Sequence, residues 1–452
     1  MKRRSLFILS LIPLVLAGCN KQNQKKKPVD PERTDKGNVV LHLQGMANPE
    51  RTSPYEIKVE FDDACFAHSA AEFDKTLELM SFAGSCVGGN IQLAETFYSG
   101  MYFGNFYHYG YETTSKHSVA YTFATKSMEE YDVIAVTIRG DNYGKEWANN
   151  FDIGKAGNHY GFSLRATEIF YDLVRYVNNN IEEGRDIKVW TTGYSRAGGI
   201  SNVLSDLIMR EAPFSLGESN LFTYTFEAPA GITQANKVEY PNVFNIINSR
   251  DIVTKIPPVE YDFVRCGTDI DIFVDNFEEV IHNFDEDVPV PAFTPNNAKY
   301  KNELEFINWL KSGLLVNTDD ASASLSTREN YVDNYQDHIS YLMLFYFSLP
   351  QETVMHIKEA LESLEGIEFL ILLSEDGIYN KISPILDRDG VSYDATKLKA
   401  ATNKITAFMN NHLDLIMKFV GASGISEEMV NNLGRIILMH YPEMTYALIT
   451  NE

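Results

Sequence analysis

The stretch Gly193-Tyr194-Ser195-Arg196-Ala197 places a serine between small residues two positions before it and two after. Such spacing suits a tight strand-to-helix turn, where the two backbones approach closely and the serine oxygen is lifted above a sheet. Ala197 departs from Gly-x-Ser-x-Gly by one methyl group. A serine hydroxyl is barely nucleophilic until a base removes its proton during attack. The motif therefore asks for an imidazole base, a carboxylate that orients it, and N–H donors for a tetrahedral oxyanion.

Those groups need a scaffold that the neighbouring sequence supplies. "IKVWTT" reads as the strand before the serine, and "GGISNVLSDLIM" has the apolar spacing of the helix after it. "DVIAVTIRG", residues 132 to 140, is too apolar for a half-exposed strand and reads as a buried parallel one. A loop with Gly140, Gly144 and Trp147 follows, then an amphipathic helix over about 160–181, then strands at "FTYTFEAP" and "NVFNIINSRD". This alternation predicts a right-handed βαβ sheet with helices on both faces. Residues 61–126 read as mostly helical cover for a sheet that starts at 132, with one apolar face each on "AEFDKTLELMSFA" and "NIQLAETFYSGMYFG". The aromatics from Phe97 to Tyr111 read as packing residues or as the lining of an acyl pocket. Asp269, Asp271 and Asp275 are spaced somewhat like calcium ligands, but the glycine and closing glutamate of a calcium loop are missing. That acidic segment reads as a solvated edge hairpin. From about 350 onward the pattern is helical and is expected to dock on the sheet core.

Several segments in order carry a family resemblance. "VWTTGYSRAGGISNVLSDLI", "VIAVTIRGDNYGKEWANNFDIG", "HYGF", "YTFEAPAG" and "NIINSRDIVTKIPP" resemble, respectively, the nucleophile elbow, the strand ending in Arg-Gly-Ser/Thr, the His-x-Gly-Phe helix start, the Thr-Phe-Gly-x-Pro turn and the Asn-x-x-Asp-x-Val-Pro element of class 3 (fungal-type) lipases. The resemblance spans roughly residues 57–348 and implies an α/β-hydrolase fold with a mostly parallel sheet. It implies Ser195 as nucleophile and Asp251 as triad acid, with a histidine downstream in the order Ser, Asp, His. "DHISY" resembles the family's segment around that histidine and points to His338; His440, in "MHYPEM", is the alternative. His282 falls in the acidic segment, and His356 and His412 fall within helical patterns. The oxyanion donors would be the N–H of Arg196 and one from the turn at Gly140 and Asp141. Asp141 stands where the family has Ser or Thr. A donor there is worth about 3 kcal/mol, whereas a carboxylate some 4 Å from the oxyanion costs about 4 kcal/mol at an effective dielectric near 20. The Asp141 side chain is therefore expected to turn away, toward Arg139 or Lys145, and offer only its N–H. Trp147 falls where fungal lipases carry a lid and reads equally as a core residue. The resemblance implies no metal and no organic cofactor.

The ends and the composition bound the setting. Lys2, Arg3 and Arg4 precede an apolar run that closes in Leu16-Ala17-Gly18-Cys19, which reads as a secretory leader cut before a cysteine that becomes acylated. The run is too short for a permanent membrane helix. Residues 19–55 are expected to be a lipid-bearing tether, 56–348 the hydrolase domain and 349–452 a helical region packed on it. A net charge of −23 argues against nucleic acid as a partner. Cys65, Cys86 and Cys266 allow one bridge, such as Cys65 to Cys86, or three buried thiols. The expected protein is an anchored cell-envelope ester hydrolase acting through an acyl-serine, on lipid or acylglycerol esters. An esterase for short-chain or glycan esters and an inactive hydrolase fold used as a binding lipoprotein are the alternatives.

Overall fold

The computed structural model describes residues 33–48, 50–112, 115, 118–140, 144–314, 328–362, 364, 371–411 and 427–451. The leader, Cys19, Asp141 and His412 lie outside the described residues, as do the side chains of Lys145 and Trp147. The central element is a seven-stranded sheet in the spatial order 268–271, 243–247, 221–226, 186–194, 131–138, 121–127 and 104–109, beside a small pair of β8 (Ile232–Thr233) with β10 (Phe263–Val264). Its parallel part comprises β5 (Tyr131–Ile138), β6 (Asp186–Tyr194), β7 (Leu221–Phe226), β9 (Val243–Ile247) and β11 (Thr268–Asp271). β7 and β9 are buried at every position, as strands covered on both faces must be.

Two antiparallel strands precede this part, β3 (Gly104–Tyr109) and β4 (Tyr121–Ser127), so the sheet begins earlier than residue 132. In the aromatic run over 97–111 the Phe, Tyr and Met residues recur at irregular spacing, so neither a helical nor an alternating period divides it. β1 (Lys36–Leu43) falls inside the expected tether and pairs with β2 (Tyr55–Asp62) in a separate hairpin. Their burial alternates, with Val39, Leu41, Leu43, Ile57, Val59 and Phe61 turned inward. The acidic segment yields β11, a parallel edge strand on β9, rather than a hairpin.

One face of the sheet is covered by α1 (Lys75–Val87), α2 (Ile91–Gly100) and the β1–β2 hairpin, around Phe66, Phe82, Tyr98 and Trp190. The other is covered by α3 (Tyr160–Asn180) and α4 (Arg196–Glu211), whose Phe162, Ile169, Leu173, Ile200 and Leu204 meet Ile134, Val136 and Val189. His159 caps α3: Nδ1 accepts the Phe162 N–H at 3.3 Å and Nε2–H donates to Asn150 O at 3.2 Å. Burial pushes its pKa down to about 3, so this ring is a neutral structural cap.

The later helices divide into two groups. α7 (Arg328–Asn334) and α8 (Gln336–Tyr346) lie on the short 3-10 helix Gly144–Phe151, held by Tyr331 to Phe151 O, Ser340 to Ala148 O and Gln336 to Asp152. α9 (Gln351–Glu362), α10 (Gly377–Arg388) and α11 (Ala395–Asn411) join α8 around Ile382, Leu386 and Leu398. The last two, α12 (Glu427–Leu438) and α13 (Pro442–Ile449), return to the sheet core with α5 (Phe277–Phe284) and α6 (Glu303–Leu314). Tyr446 packs on Phe82 of α1 at a centroid distance of 5.8 Å. The end of the chain thus packs on the sheet core. Cys65, Cys86 and Cys266 form no disulfide among the described residues.

Candidate active site

β6 ends in Gly193-Tyr194 and α4 opens at Arg196, so Ser195 occupies the pivot between them. Its backbone sits at φ 54°, ψ −127°, a conformation that costs a non-glycine residue about 1–3 kcal/mol. A hydrogen bond from Ser195 N to Phe226 O at 2.8 Å pins the turn to β7. Gly193 is obligatory here, because a Cβ on it would lie 2.4 Å from the backbone carbon and oxygen of Ala197. Gly140, at the end of β5, comes equally close: a Cβ there would be 2.5 Å from Tyr194 O. The turn that leads into Asp141 therefore lies against the elbow.

The ring beside Ser195 belongs to His440. Its Nε2 meets Ser195 Oγ at 2.9 Å, and its Nδ1 meets Asp251 Oδ2 at 2.7 Å. Because a carboxylate can only accept, Nδ1 carries the proton and Nε2 is left to receive the serine proton. Asp251 follows β9, is fully buried, and takes the Val253 N–H on its other oxygen at 2.8 Å. His440 lies in the turn between α12 and α13, where Tyr194 holds its carbonyl through a 2.9 Å hydrogen bond.

Ser195 and Asp251 are brought together as the sequence predicts; His338 is not with them. It sits on α8, over the Gly144–Phe151 segment, where burial and then the charge of Lys404 lower its pKa. Asp251 has already given the oxygen that would orient a base to His440. The sequence signal for His440 is its position between two helical patterns with Pro442 two residues on, at the first turn of α13. That puts the histidine in a turn, where a ring is free to project, and not on a packed helix face.

Around the oxyanion side, Arg196 opens α4 with its N–H in the first turn, and Ser195 makes no side-chain cap on that helix. The Arg196 and Arg139 guanidiniums, both buried, converge on Glu146, which is itself fully buried. Arg139 reaches Glu146 Oε1 at 2.5 Å and Arg196 reaches Oε2 at 3.2 Å; Ser118 adds a hydroxyl bond at 2.8 Å. Glu146 thereby ties the end of β5 to the start of α4. The expected turning of Asp141 toward Arg139 or Lys145 lies outside the described residues, and Arg139 itself is paired with Glu146.

Behind the triad lies a second carboxyl group that the sequence reading does not single out. Glu227 follows β7, is fully buried, and has φ 46°, the left-handed region that favours glycine. Asn248 N–H donates to its Oε2 at 2.9 Å and the Thr445 hydroxyl to its Oε1 at 3.1 Å. Burial, followed by the charge of Asp251, pushes its carboxyl well above the usual range. The signal was present in "YTFEAPAG", where Glu227 replaces the glycine of the resembled turn.

No group of three or more metal-ligating side chains occurs among the described residues. No described helix is long and apolar enough to cross a membrane.

Residues 135–261 match the family model described as lipase (class 3). A lipase of Rhizomucor miehei is 26% identical over 158 residues, a match covering 33% of this chain and 42% of that lipase. The chain thus spans less than half of the relative's length. Among solved structures it is similar to a triacylglycerol lipase described as having a serine-protease triad at its catalytic centre, with 21% identity over 44% of this chain and 80% of the other and a TM-score of 0.37. It is also similar to the Rhizomucor miehei lipase–propeptide complex, at 20% identity, 45% and 71% coverage and a TM-score of 0.36. Over residues 135–261 the chain is therefore similar to the class 3 lipases.

Proposed function

We propose that this protein is a serine hydrolase of carboxylic esters, acting on acylglycerols or other lipid esters through an acyl-serine intermediate. The observation that carries the reading is the single imidazole that bridges Ser195 and Asp251. In this mechanism Ser195 Oγ attacks the ester carbonyl while His440 Nε2 takes its proton. The imidazolium is stabilised by Asp251 and then protonates the leaving alcohol; water repeats the sequence on the acyl-serine. The developing oxyanion is met by the N–H of Arg196, aided by the positive end of α4, with the Gly140–Asp141 turn as the second donor. Lipid as the substrate class is supported by the family match alone.

The sequence adds the setting. Acylation at Cys19 would hold the enzyme on a bacterial envelope membrane, facing the periplasm or exterior, within reach of lipid.

The test is labelling of the full-length protein with a fluorophosphonate, followed by hydrolysis of p-nitrophenyl esters of increasing chain length. Stoichiometric labelling that disappears in Ser195→Ala and in His440→Ala, but persists in His338→Ala, is expected. Loss of a triad member costs on the order of 10⁴–10⁶ in kcat. A folded protein that never labels would favour the binding-protein alternative, and labelling with preference for acetyl over long-chain esters would favour the short-chain esterase.

A further inference from the structure

Two carboxyl groups meet at the back of the site. Glu227 and Asp251 are both fully buried, face one another, and share Asn248, whose N–H donates to Glu227 Oε2 and whose carbonyl accepts the Asp251 N–H, each at 2.9 Å. Neither is paired with a lysine or arginine among the described residues; the ionisable partner present is the His440 ring on Asp251. Two ionised carboxylates in contact without a cation repel strongly, so a proton must lie between them. The donors decide which group keeps it. Asp251 receives the His440 Nδ1–H and the Val253 N–H, and it faces the ring that becomes positive. Glu227 faces Asp251, Asn248 and Thr445, with the Tyr194 phenol as the nearby titratable group, itself neighboured by the Cys86 thiol.

A hydrogen-bonded ring follows from this arrangement. Thr445 Oγ1 lies 2.8 Å from the Tyr194 hydroxyl, which donates to the His440 carbonyl. Glu227 therefore bears on the triad from two sides: on Asp251 across the shared Asn248, and on the His440 backbone through Thr445 and Tyr194. The chain accepts a glycine-like backbone conformation to put a carboxyl group at this point. A strained residue is retained where the surroundings over-determine it, commonly at a functional site.

We propose that Glu227 remains a neutral carboxylic acid and donates its proton to Asp251, acting as the positioning residue that holds the triad carboxylate toward His440. This rests on the reading of Ser195, His440 and Asp251 as a triad. The neutral acid leaves one negative charge on the pair and adds a third donor to the Asp251 carboxylate.

Infrared difference spectroscopy of the full-length protein tests the protonation without any need for turnover. At neutral pH the unmodified protein should show a carbonyl band of an un-ionised carboxyl group that is missing from Glu227→Gln. Kinetics with p-nitrophenyl esters test the role. Glu227→Leu, which removes the donor, should lose kcat by about 10–100-fold, the worth of one hydrogen bond to a charged group, with KM little changed. Glu227→Gln, whose amide can still donate to Asp251, should recover most of that loss. The proposal is overturned if no such band is lost, or if Gln depresses kcat as far as Leu does. Should the Leu variant fail to fold, the band and the Gln kinetics decide. A band present in a protein without any esterase activity would sink the triad reading instead, and the positioning role with it.

Discussion

At the scale of single residues, Glu227 links the chemistry of the site to its stability. An unfolded glutamate titrates near 4.3, whereas burial and Asp251 raise the folded value well above that. Above about pH 4.3 the unfolded chain releases a proton that the folded state keeps. This group's contribution to stability is therefore complete below that pH and is lost as pH rises toward the folded value, at up to about 1.4 kcal/mol per pH unit. Glu227→Gln removes the titration, so its stability relative to the unmodified protein should increase between pH 4 and pH 7 in urea denaturation. A difference that stays constant across that range would contradict a raised folded value. Legibility at this scale was uneven. Ser195 and Asp251 could be read from local sequence because an elbow and a strand end have short-range signatures. His440 and Glu227 act through contacts with residues far along the chain. "DHISY" reproduced the letters around a lipase histidine, yet its position on α8 takes His338 away from Asp251.

Elements are tied together at the site by buried ion pairs, and these fix relative placement more than they add stability. Arg435 on α12 is nearly buried and bonds Glu303 of α6, Glu278 of α5 at 2.6 Å and Pro291 O at 2.8 Å. Glu303 also accepts from Arg250, the neighbour of Asp251, at 3.2 Å. The loop that carries the acid and the helix that leads to the base are thus pinned to one carboxylate. Removing one partner of a buried pair typically costs about 3–5 kcal/mol because the other charge is stranded, while an apolar replacement of the whole set can be neutral. Glu303→Ala should therefore lower stability by that amount and weaken fluorophosphonate labelling beyond what unfolding accounts for. Glu303→Gln, which keeps acceptor geometry, should do less of both. Unaltered labelling in folded Glu303→Ala would mean the network does not position the site. In the sequence, β5, β6, β7, β9, α3 and α4 were evident from long apolar periods. β3 and β4 were hidden in an aromatic run of no single period, and β1 in a tether judged by its polar start.

At the scale of the whole molecule, the chain closes its own active site. The triad base arrives only with the last two helices, after α7 and α8 have passed across the Gly144–Phe151 segment. A boundary at 348 looks natural in sequence, because everything beyond it is helical and nothing local says that the final turns belong with the sheet. Packing says otherwise. Met439, Met444, Leu448 and Ile449 are all essentially buried, against α5 and the α1 face. Burying one such side chain is worth about 1.5–3 kcal/mol, so four together are of the order of the roughly 5–15 kcal/mol that holds a typical domain folded. Thr445 and Glu443 add polar anchors, the latter accepting N–H groups of Met46 and Ala47 in the β1–β2 loop. A chain ended at residue 438 should therefore lose cooperative unfolding altogether, whereas His440→Ala should unfold as the unmodified protein does and only fail to label. Circular dichroism during urea titration separates the two. A truncated chain that still unfolds cooperatively would show that the final helix is an attachment, and that the sheet core is complete without the segment that supplies its base.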